Sequence, residues 1–479
     1  MTSHEEPRPA DASAALAPAR GLRRRHMAMI AVGGSVGAGL FIGSGTVIGA
    51  AGPAAVVSYV LAGTLVLFTL RALGEMVVAY PAAGSFSDYA RMALGPRAGF
   101  VIGWLYWWLY AVLVAAESVA GAAILGRWVQ APEWLLALVL LVAMTGVNLV
   151  SVRVFGETET VFSVVKIVTI VAFLIVGTLF AVGVWPGAGG ASTANLWQYG
   201  GFAPHGWTAV LAATVVVLFS FGGVEIVTIA AGESDEPEAN VARAATSVLW
   251  RIALFYVASI AVVVTVLPWN DARVATSPFV SVLERVGIPG AVPVMEVVVF
   301  VAVMSVLNAA MYTSSRMLHA LTRHGDAPMG LVRVNRRGVP VRALVLGTVV
   351  GYVSVLANYA WPQTVFAFLV ASVGAIFLLL FIVIGVSQLI LGARARREGP
   401  RSLTFRMWGF PYLTWVMLVG MVMALGAMAV IEGQRAALGA SLASAVVALG
   451  AYELRRRWGR VPVSDQPLTL HPPRLHPPR

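Results

Sequence analysis

The chain has 479 residues, of which 59% are hydrophobic and 11% are Asp, Glu, Lys or Arg, whereas soluble domains carry roughly 25% charged residues. That composition excludes an ordinary water-soluble domain and points to lipid as the main solvent. The formal net charge of +11 does not mark a nucleic-acid binder, because the basic residues sit in short connections between apolar runs, where they set membrane topology; with no cysteine, neither a disulfide framework nor a thiolate metal site is available.

Residues 1–25 are polar and Pro/Ala-rich and end in Arg23, Arg24 and Arg25. No cleavage site follows, so the segment reads as a cytosolic tail. Apolar segments then follow at about 27–49, 54–79, 98–126, 133–152, 158–184, 207–231, 244–268, 290–315, 341–360, 363–391, 408–431 and 436–453. About 20 apolar residues make one transmembrane helix, and long continuous runs indicate helices rather than barrel strands. The expected fold is therefore an all-α polytopic membrane protein with about 12 transmembrane helices. With the N-terminus inside, 26 arginines fall in inside connections and tails, and only Arg127, Arg273, Arg285 and Arg435 fall outside. That bias supports the count and the orientation. Arg71 and Arg251 lie close enough to helix ends to snorkel. The stretch PAAGSFSDYARMALGP after the second helix predicts a short amphipathic surface helix, and the Pro-rich tail 456–479, ending LHPPRLHPPR, predicts disorder.

Two segments carry glycines in mid-span: the first, with GSVGAGLFIG at 34–43, and the sixth, with FSFGGVE at 219–225. Five segments separate one from the other, which suggests two halves of opposite orientation. Interrupted helices at matching positions mark a transporter's substrate site. A break at Gly37, Ala38 and Gly39 exposes backbone N–H groups at a half-helix start, which attract a carboxylate; tight helix packing through small residues is the competing reading. Unwinding near Phe219, Ser220 and Gly222 frees carbonyls for an ammonium. Phe219 serves either as a gate over the ligand or as packing. Glu225, just past the break, either fixes the unwound backbone or passes a proton, and the residues themselves leave both open.

Lys166 is the single lysine of the chain and lies about eight residues into the predicted fifth segment. A buried amine gives up its charge readily, so Lys166 is a candidate for proton coupling, and its ammonium can fill the space of a sodium ion. A structural lysine paired with a carbonyl or carboxylate is the alternative. Glu117, deep in the third segment, is a candidate partner for a cation or proton, and Glu75, nearer a helix end, is expected to pair with a loop arginine. Ser305, Asn308 and Ser372 are polar spots able to line a pocket. The aromatic run Trp104–Tyr110 reads as packing and interface anchoring. GSVGAG is no nucleotide loop, since no strand precedes it. The seven histidines lack metal-ligand spacing, so no metal and no cofactor are expected.

The stretches RGLRRRHMAMIAVGGSVGAGLFIGSG, PAAGSFSDYA, IGWLYWWLY, FSFGGVEIVTIAAGESDEPE and SSRMLHALTRHGDAP together resemble bacterial amino-acid permeases of the amino acid–polyamine–organocation superfamily. The likeness runs from about residue 20 to about 455, and within the superfamily it is strongest to the γ-aminobutyrate permeases. It implies the leucine-transporter-type fold, a 5+5 inverted repeat with discontinuous helices 1 and 6 plus two C-terminal helices. The parts would be a tail at 1–25, repeats at 26–185 and 186–392, two helices at 393–455, and a tail at 456–479. It also implies that a substrate carboxylate rests on Gly37, Ala38 and Gly39, that the amine meets carbonyls near Phe219, Ser220 and Gly222, that Phe219 gates, and that Lys166 replaces sodium. One departure concerns Ala38, where several relatives carry serine, so backbone groups must do more of the carboxylate binding.

The expected activity is proton symport of a small zwitterionic amino acid, γ-aminobutyrate or another small neutral one. The expected partners are the substrate, a proton and the lipid bilayer, with no nucleic acid. The expected location is the bacterial inner membrane, with both termini cytosolic. Exchange without net proton flux and an amino-acid-sensing receptor are the alternatives. A channel lacks a ring of polar pore residues, and an enzyme lacks any catalytic constellation.

Overall fold

The computed structural model describes residues 36–80, 86–150, 152–185, 193–225, 237–331, 335, 339–362, 364–398 and 405–457. The described residues form helices and connections, with no strand among them. A π-helical turn, Gly39–Gly43, runs into α1 (Ser44–Ala51), followed by α2 (Ala55–Ala79), α3 (Phe86–Leu94), α4 (Pro96–Leu125), α5 (Glu133–Val150) and α6 (Val152–Ala181). Next come α7 (Gly206–Phe219), α8 (Pro237–Arg251), a π-helical turn Ile252–Ala258, α9 (Ser259–Val266), and two short helices, α10 (Ala272–Thr276) and α11 (Pro278–Val286). The remainder is α12 (Ala291–Arg323), α13 (Val341–Ala360), α14 (Val365–Glu398), α15 (Tyr412–Val430) and α16 (Glu432–Arg457). Among the described residues nine helical runs are long and apolar enough to cross a membrane, with Gly39–Ala79 counted as one run of 41 residues. The chain is a multi-pass membrane protein.

The helix α4 forms the centre. It is buried along most of its length and packs against α12, α13, α3, α14 and α5, whereas α16 mostly faces outward. Local chemistry sets its start: Gly95 takes φ +93°, a conformation natural to glycine, and Pro96 fills the first helical position, where its missing N–H costs nothing. α3 occupies most of the predicted surface stretch, but its first turn is buried in the protein rather than laid on lipid. Residues 81–85, the predicted tail 1–25 and residues 458–479 lie outside the described residues, whereas Arg456 and Arg457 of the predicted second tail close α16.

Several elements differ from the sequence expectation. Residues 269–289, left between two predicted apolar segments, hold α10 and α11. Phe279 of α11 is fully buried between Phe41, at 4.9 Å between ring centroids, and Phe173, at 4.6 Å. α6 begins at Val152, so Lys166 lies fourteen residues in, about 21 Å along the axis at 1.5 Å per residue, deeper than predicted. Arg71 is held by protein: its Nε donates to the Arg406 carbonyl at 3.0 Å, and its guanidinium stacks on Trp408 at 4.1 Å and Phe405 at 4.3 Å. Glu75 does pair with an arginine. Its carboxylate, fully buried, takes a two-pronged contact from Arg396 at 2.6 and 2.9 Å. Arg396 belongs to the last turn of α14, not to a loop.

Candidate functional site

At the first predicted break, Val36 and Gly37 form a bend and helix begins at Ala38; the residues before Val36 are outside the described set. Ala38 therefore presents its backbone N–H at a helix start, where donors are unsatisfied by the helix itself. It donates to Glu117 Oε2 at 3.2 Å. The turn that follows, Gly39–Gly43, is π-helical, a distortion frequent at functional positions.

At the second predicted break, α7 ends at Phe219 and Ser220–Gly223 form turns. The N–H groups of Ser220, Phe221 and Gly222 donate to the third preceding carbonyl at 2.8, 3.1 and 3.3 Å, tighter winding than an α-helix. Gly223 takes φ +91°, which a side chain would strain. Helix resumes at Val224 and Glu225, and residues 226–236 lie outside the described set. The Ser220 carbonyl is already used, since Tyr256 Oη donates to it at 2.9 Å.

The segments at the two predicted breaks touch. A Cβ on Gly39 would sit 2.6 Å from Ser220 Cα and 2.8 Å from Phe219 Cδ1, so only glycine permits this approach. A Cβ on Gly37 would lie 2.6 Å from Val306 Cγ2 and 3.0 Å from Glu117 Oε1. Phe219 is buried beside Gly39, its ring edge-on to Phe366 at 6.5 Å. Gly222 leaves ordinary room, with Phe377 at 3.4 Å from its would-be Cβ.

The ionisable groups divide into two buried sets. In the first, Lys166 Nζ donates to Ser305 Oγ at 2.7 Å, and Ser305 Oγ donates to Glu159 Oε1. Glu117 and Glu159 both act electrostatically on Lys166, and all three are at most 1% exposed. In the second, Glu225 Oε1 accepts from Tyr106 Oη at 2.9 Å and Tyr110 Oη at 3.0 Å. These tyrosines stand one turn apart on α4, and Tyr106 also meets Phe86 of α3 edge-on at 4.7 Å. Among the described residues no three His, Asp or Glu side chains gather as metal ligands would.

The predicted residues are thus placed unevenly. Gly39 meets Phe219 and Ser220, Gly37 faces Val306 and Glu117, and Gly222 faces Phe377, while Ala38 donates to Glu117 and Glu225 stands just past the second break. Ser305 is committed to Lys166 and Glu159. Asn308 Oδ1 accepts from Asn148 Nδ2 of α5 at 2.7 Å, and the Ser372 carbonyl accepts from Ser441 of α16 at 3.2 Å. Sequence reasoning missed Glu159, Tyr106, Tyr110 and Tyr256. Spacing held a signal for three of them: Glu159 precedes Lys166 by seven residues, two helical turns, and the tyrosines stand at i and i+4.

A third polar cluster lies at the end of α12, outside the apolar spans. His324 Nε2 meets Asp88 Oδ1 at 2.8 Å, and the Asp88 hydrogen bond holds the imidazole above its ordinary range despite partial burial. Asp326 is pushed up by burial, opposed by Arg91, with which it pairs. Arg455 of α16 stands 3.6 Å from the same carboxylate.

Comparison with known proteins agrees with this architecture. The family model described as amino acid permease matches residues 26–461. The γ-aminobutyric acid permease of Bacillus subtilis (strain 168) is 49% identical over 415 residues, covering 86% of this chain and 88% of the relative. A probable GABA permease of Pseudomonas aeruginosa is 44% identical over 450 residues, 93% and 94% of the two chains. The γ-aminobutyric acid permease of Escherichia coli (strain K12) is 46% identical over 400 residues, 83% and 86%. These relatives are transporters, not enzymes. This multi-pass helical protein, matched over nearly its whole length, belongs to the amino acid permease family of the amino acid–polyamine–organocation superfamily.

Proposed function

We propose that this permease carries γ-aminobutyrate, or another small neutral zwitterion, together with a proton, by alternating access. The observation that carries the reading is the direct contact of the two interrupted segments at Gly39 and Ser220. One side offers helix-start N–H groups with the positive end of the helix dipole, suited to a carboxylate. The other offers unwound carbonyls, suited to an ammonium. Gly37 and Gly39 allow the close approach of Val306, Glu117 and Ser220 to the first segment. Because Tyr256 already occupies the Ser220 carbonyl, the ammonium is assigned to neighbouring carbonyls of the same turn. Phe219, packed on Gly39, closes over the ligand.

Proton coupling is assigned to Lys166 and Glu117. The Glu117 carboxyl receives the Ala38 N–H and interacts electrostatically with Lys166. A change of charge on either one therefore reaches the first-interruption cradle. In this reading Glu225 braces the second interruption through Tyr106 and Tyr110. The frame is a 5+5 inverted repeat with two further helices, twelve in all, set in the bacterial inner membrane. Both termini and α3 face the cytosol, as the arginine distribution requires. The γ-aminobutyrate preference rests on the names and high identity of the relatives.

Uptake of labelled γ-aminobutyrate into proteoliposomes tests the proposal. An inward proton gradient is expected to drive accumulation, and excess glycine-sized or aromatic amino acids to compete less well than γ-aminobutyrate. Counterflow without gradient-driven accumulation would assign exchange instead.

A further inference from the structure

Lys166 does not end at a simple ion pair. It opens a chain of polar groups: Nζ donates to Ser305 Oγ at 2.7 Å, and the Ser305 hydroxyl donates to Glu159 Oε1. Glu159 is fully buried, and its second oxygen, Oε2, is buried with no hydrogen-bond partner. A carboxylate whose job was only to anchor a lysine would be expected to have both oxygens satisfied. Glu159 lies seven residues before Lys166 on α6, about 10.5 Å nearer the Val152 end at 1.5 Å per residue and on the same helix face. Glu117, bonded to the Ala38 N–H, also acts electrostatically on Lys166. These interactions link Ala38, Glu117, Lys166, Ser305 and Glu159 in turn.

We propose that Glu159 is a proton-binding residue of the permease, with Ser305 passing the proton between it and Lys166. The inference rests on the proton-symport reading above, whose orientation puts the Val152 end of α6 at the cytosolic face. The step balances without any other reactant. The Lys166 ammonium gives a proton to Ser305 Oγ while Ser305 gives its hydroxyl proton to the Glu159 carboxylate. One N–H and one O–H bond break, and two O–H bonds form. An ammonium and a carboxylate become an amine and a carboxylic acid, with no change in net charge. Both hydrogen bonds already point in the direction of this transfer. The charged pair bears a desolvation cost that the neutral pair avoids, which offsets the loss of mutual attraction. Once Lys166 is neutral, Glu117 faces an uncharged amine, and the electrostatics beneath Ala38 change.

The test uses the full-length protein in proteoliposomes with a pH indicator inside. Two rates are measured: accumulation of labelled γ-aminobutyrate driven by a proton gradient, and counterflow at equal pH. Labelled alanine replaces γ-aminobutyrate should the latter not be carried. For Glu159→Gln, the ratio of gradient-driven accumulation to counterflow is expected to fall at least tenfold, and substrate-coupled acidification of the lumen to stop. A merely structural Glu159 lowers both rates together and leaves the ratio intact. Ser305→Ala, which severs the relay without removing either charge, carries the same test should Glu159→Gln fail to fold. A wild-type ratio and intact acidification in the folded variants overturn the proposal while symport stands. Counterflow without proton movement in the unaltered protein removes the symport reading, and this inference with it.

Discussion

Replacing Gly39 by alanine probes the contact on which the site depends. The new methyl would sit 2.6 Å from Ser220 Cα, about 0.8 Å inside the 3.4 Å at which ordinary contact begins. Ser220 Cα is backbone and cannot swing away, so the two interruptions must part. Overpacking of this kind costs about 1–3 kcal/mol, and tenfold corresponds to about 1.4 kcal/mol. If the whole strain opposes the ligand-closed arrangement, the half-saturation concentration for uptake rises between about 5-fold and 150-fold. Gly49, in α1 of the same run, is the internal control: a methyl there meets nothing within 4 Å, and alanine in a helix interior stabilises by about 0.5–1 kcal/mol. Gly49→Ala is therefore expected to transport normally and to unfold at equal or higher temperature. Uptake titration of both variants, with thermal unfolding in detergent, is the assay. Equal half-saturation values for Gly39→Ala and Gly49→Ala would show that the contact at Gly39 is irrelevant to substrate.

Three further outcomes follow from the geometry. Tyr106→Phe and Tyr110→Phe each remove one hydrogen bond to the buried Glu225 carboxyl; bonds to charged groups contribute about 1.5–3 kcal/mol, so each single change should lower thermal stability, and the double change should cost more than the sum. Additive effects would mean that the two hydroxyls do not share one acceptor. Arg396→Ala leaves the buried Glu75 carboxylate with only Gln388 and the Met407 N–H and should destabilise by about 3–5 kcal/mol, as loss of a partner from a buried pair does; Glu75→Gln in the same chain should recover part of it, and no recovery would contradict a charge-based cost. His324 is held above its ordinary value of 6.5 by Asp88. Its folded-state value exceeds the unfolded one, so this stabilisation is complete below about pH 6.5 and declines as pH rises through the raised value. Thermal unfolding followed from pH 5.5 to 8.5 should show that decline, Asp88→Asn should flatten it, and an unchanged slope in Asp88→Asn would disconnect the pair from stability.

Much of the site was legible because its signals are departures from the helical background. Glycines cost a helix about 1 kcal/mol each relative to alanine, so GSVGAG and FGG in mid-span stood out, and the structure winds irregularly at both. Lys166 stood out as a cation among apolar residues. What escaped was pairing across long separations. Ser305 is 139 residues from Lys166, and its hydroxyl looked free to line a pocket until the fold placed it between an amine and a carboxylate. Glu159 lies in GETET, which reads as a polar helix start, and only the true beginning of α6 at Val152 puts it inside. Tyr256 was invisible for the same reason, being one aromatic among many until its hydroxyl met the Ser220 carbonyl. α10 escaped because five residues are too few to show a periodic pattern, whereas α11 does carry a one-sided apolar pattern over its nine residues that went unread.

Phe279 carries a thermal consequence. Any motion that lifts α11 away from the first helical run must unstack its ring from Phe41 and Phe173 and wet three aromatic faces, with no ion pair at those three rings. Such a step responds weakly to salt, because screening acts on charges. It carries instead a positive heat-capacity change, the mark of apolar surface meeting water. Turnover limited by that movement would trace a curved Arrhenius plot, steeper in the warm because the activation enthalpy rises with temperature, while remaining indifferent to ionic strength.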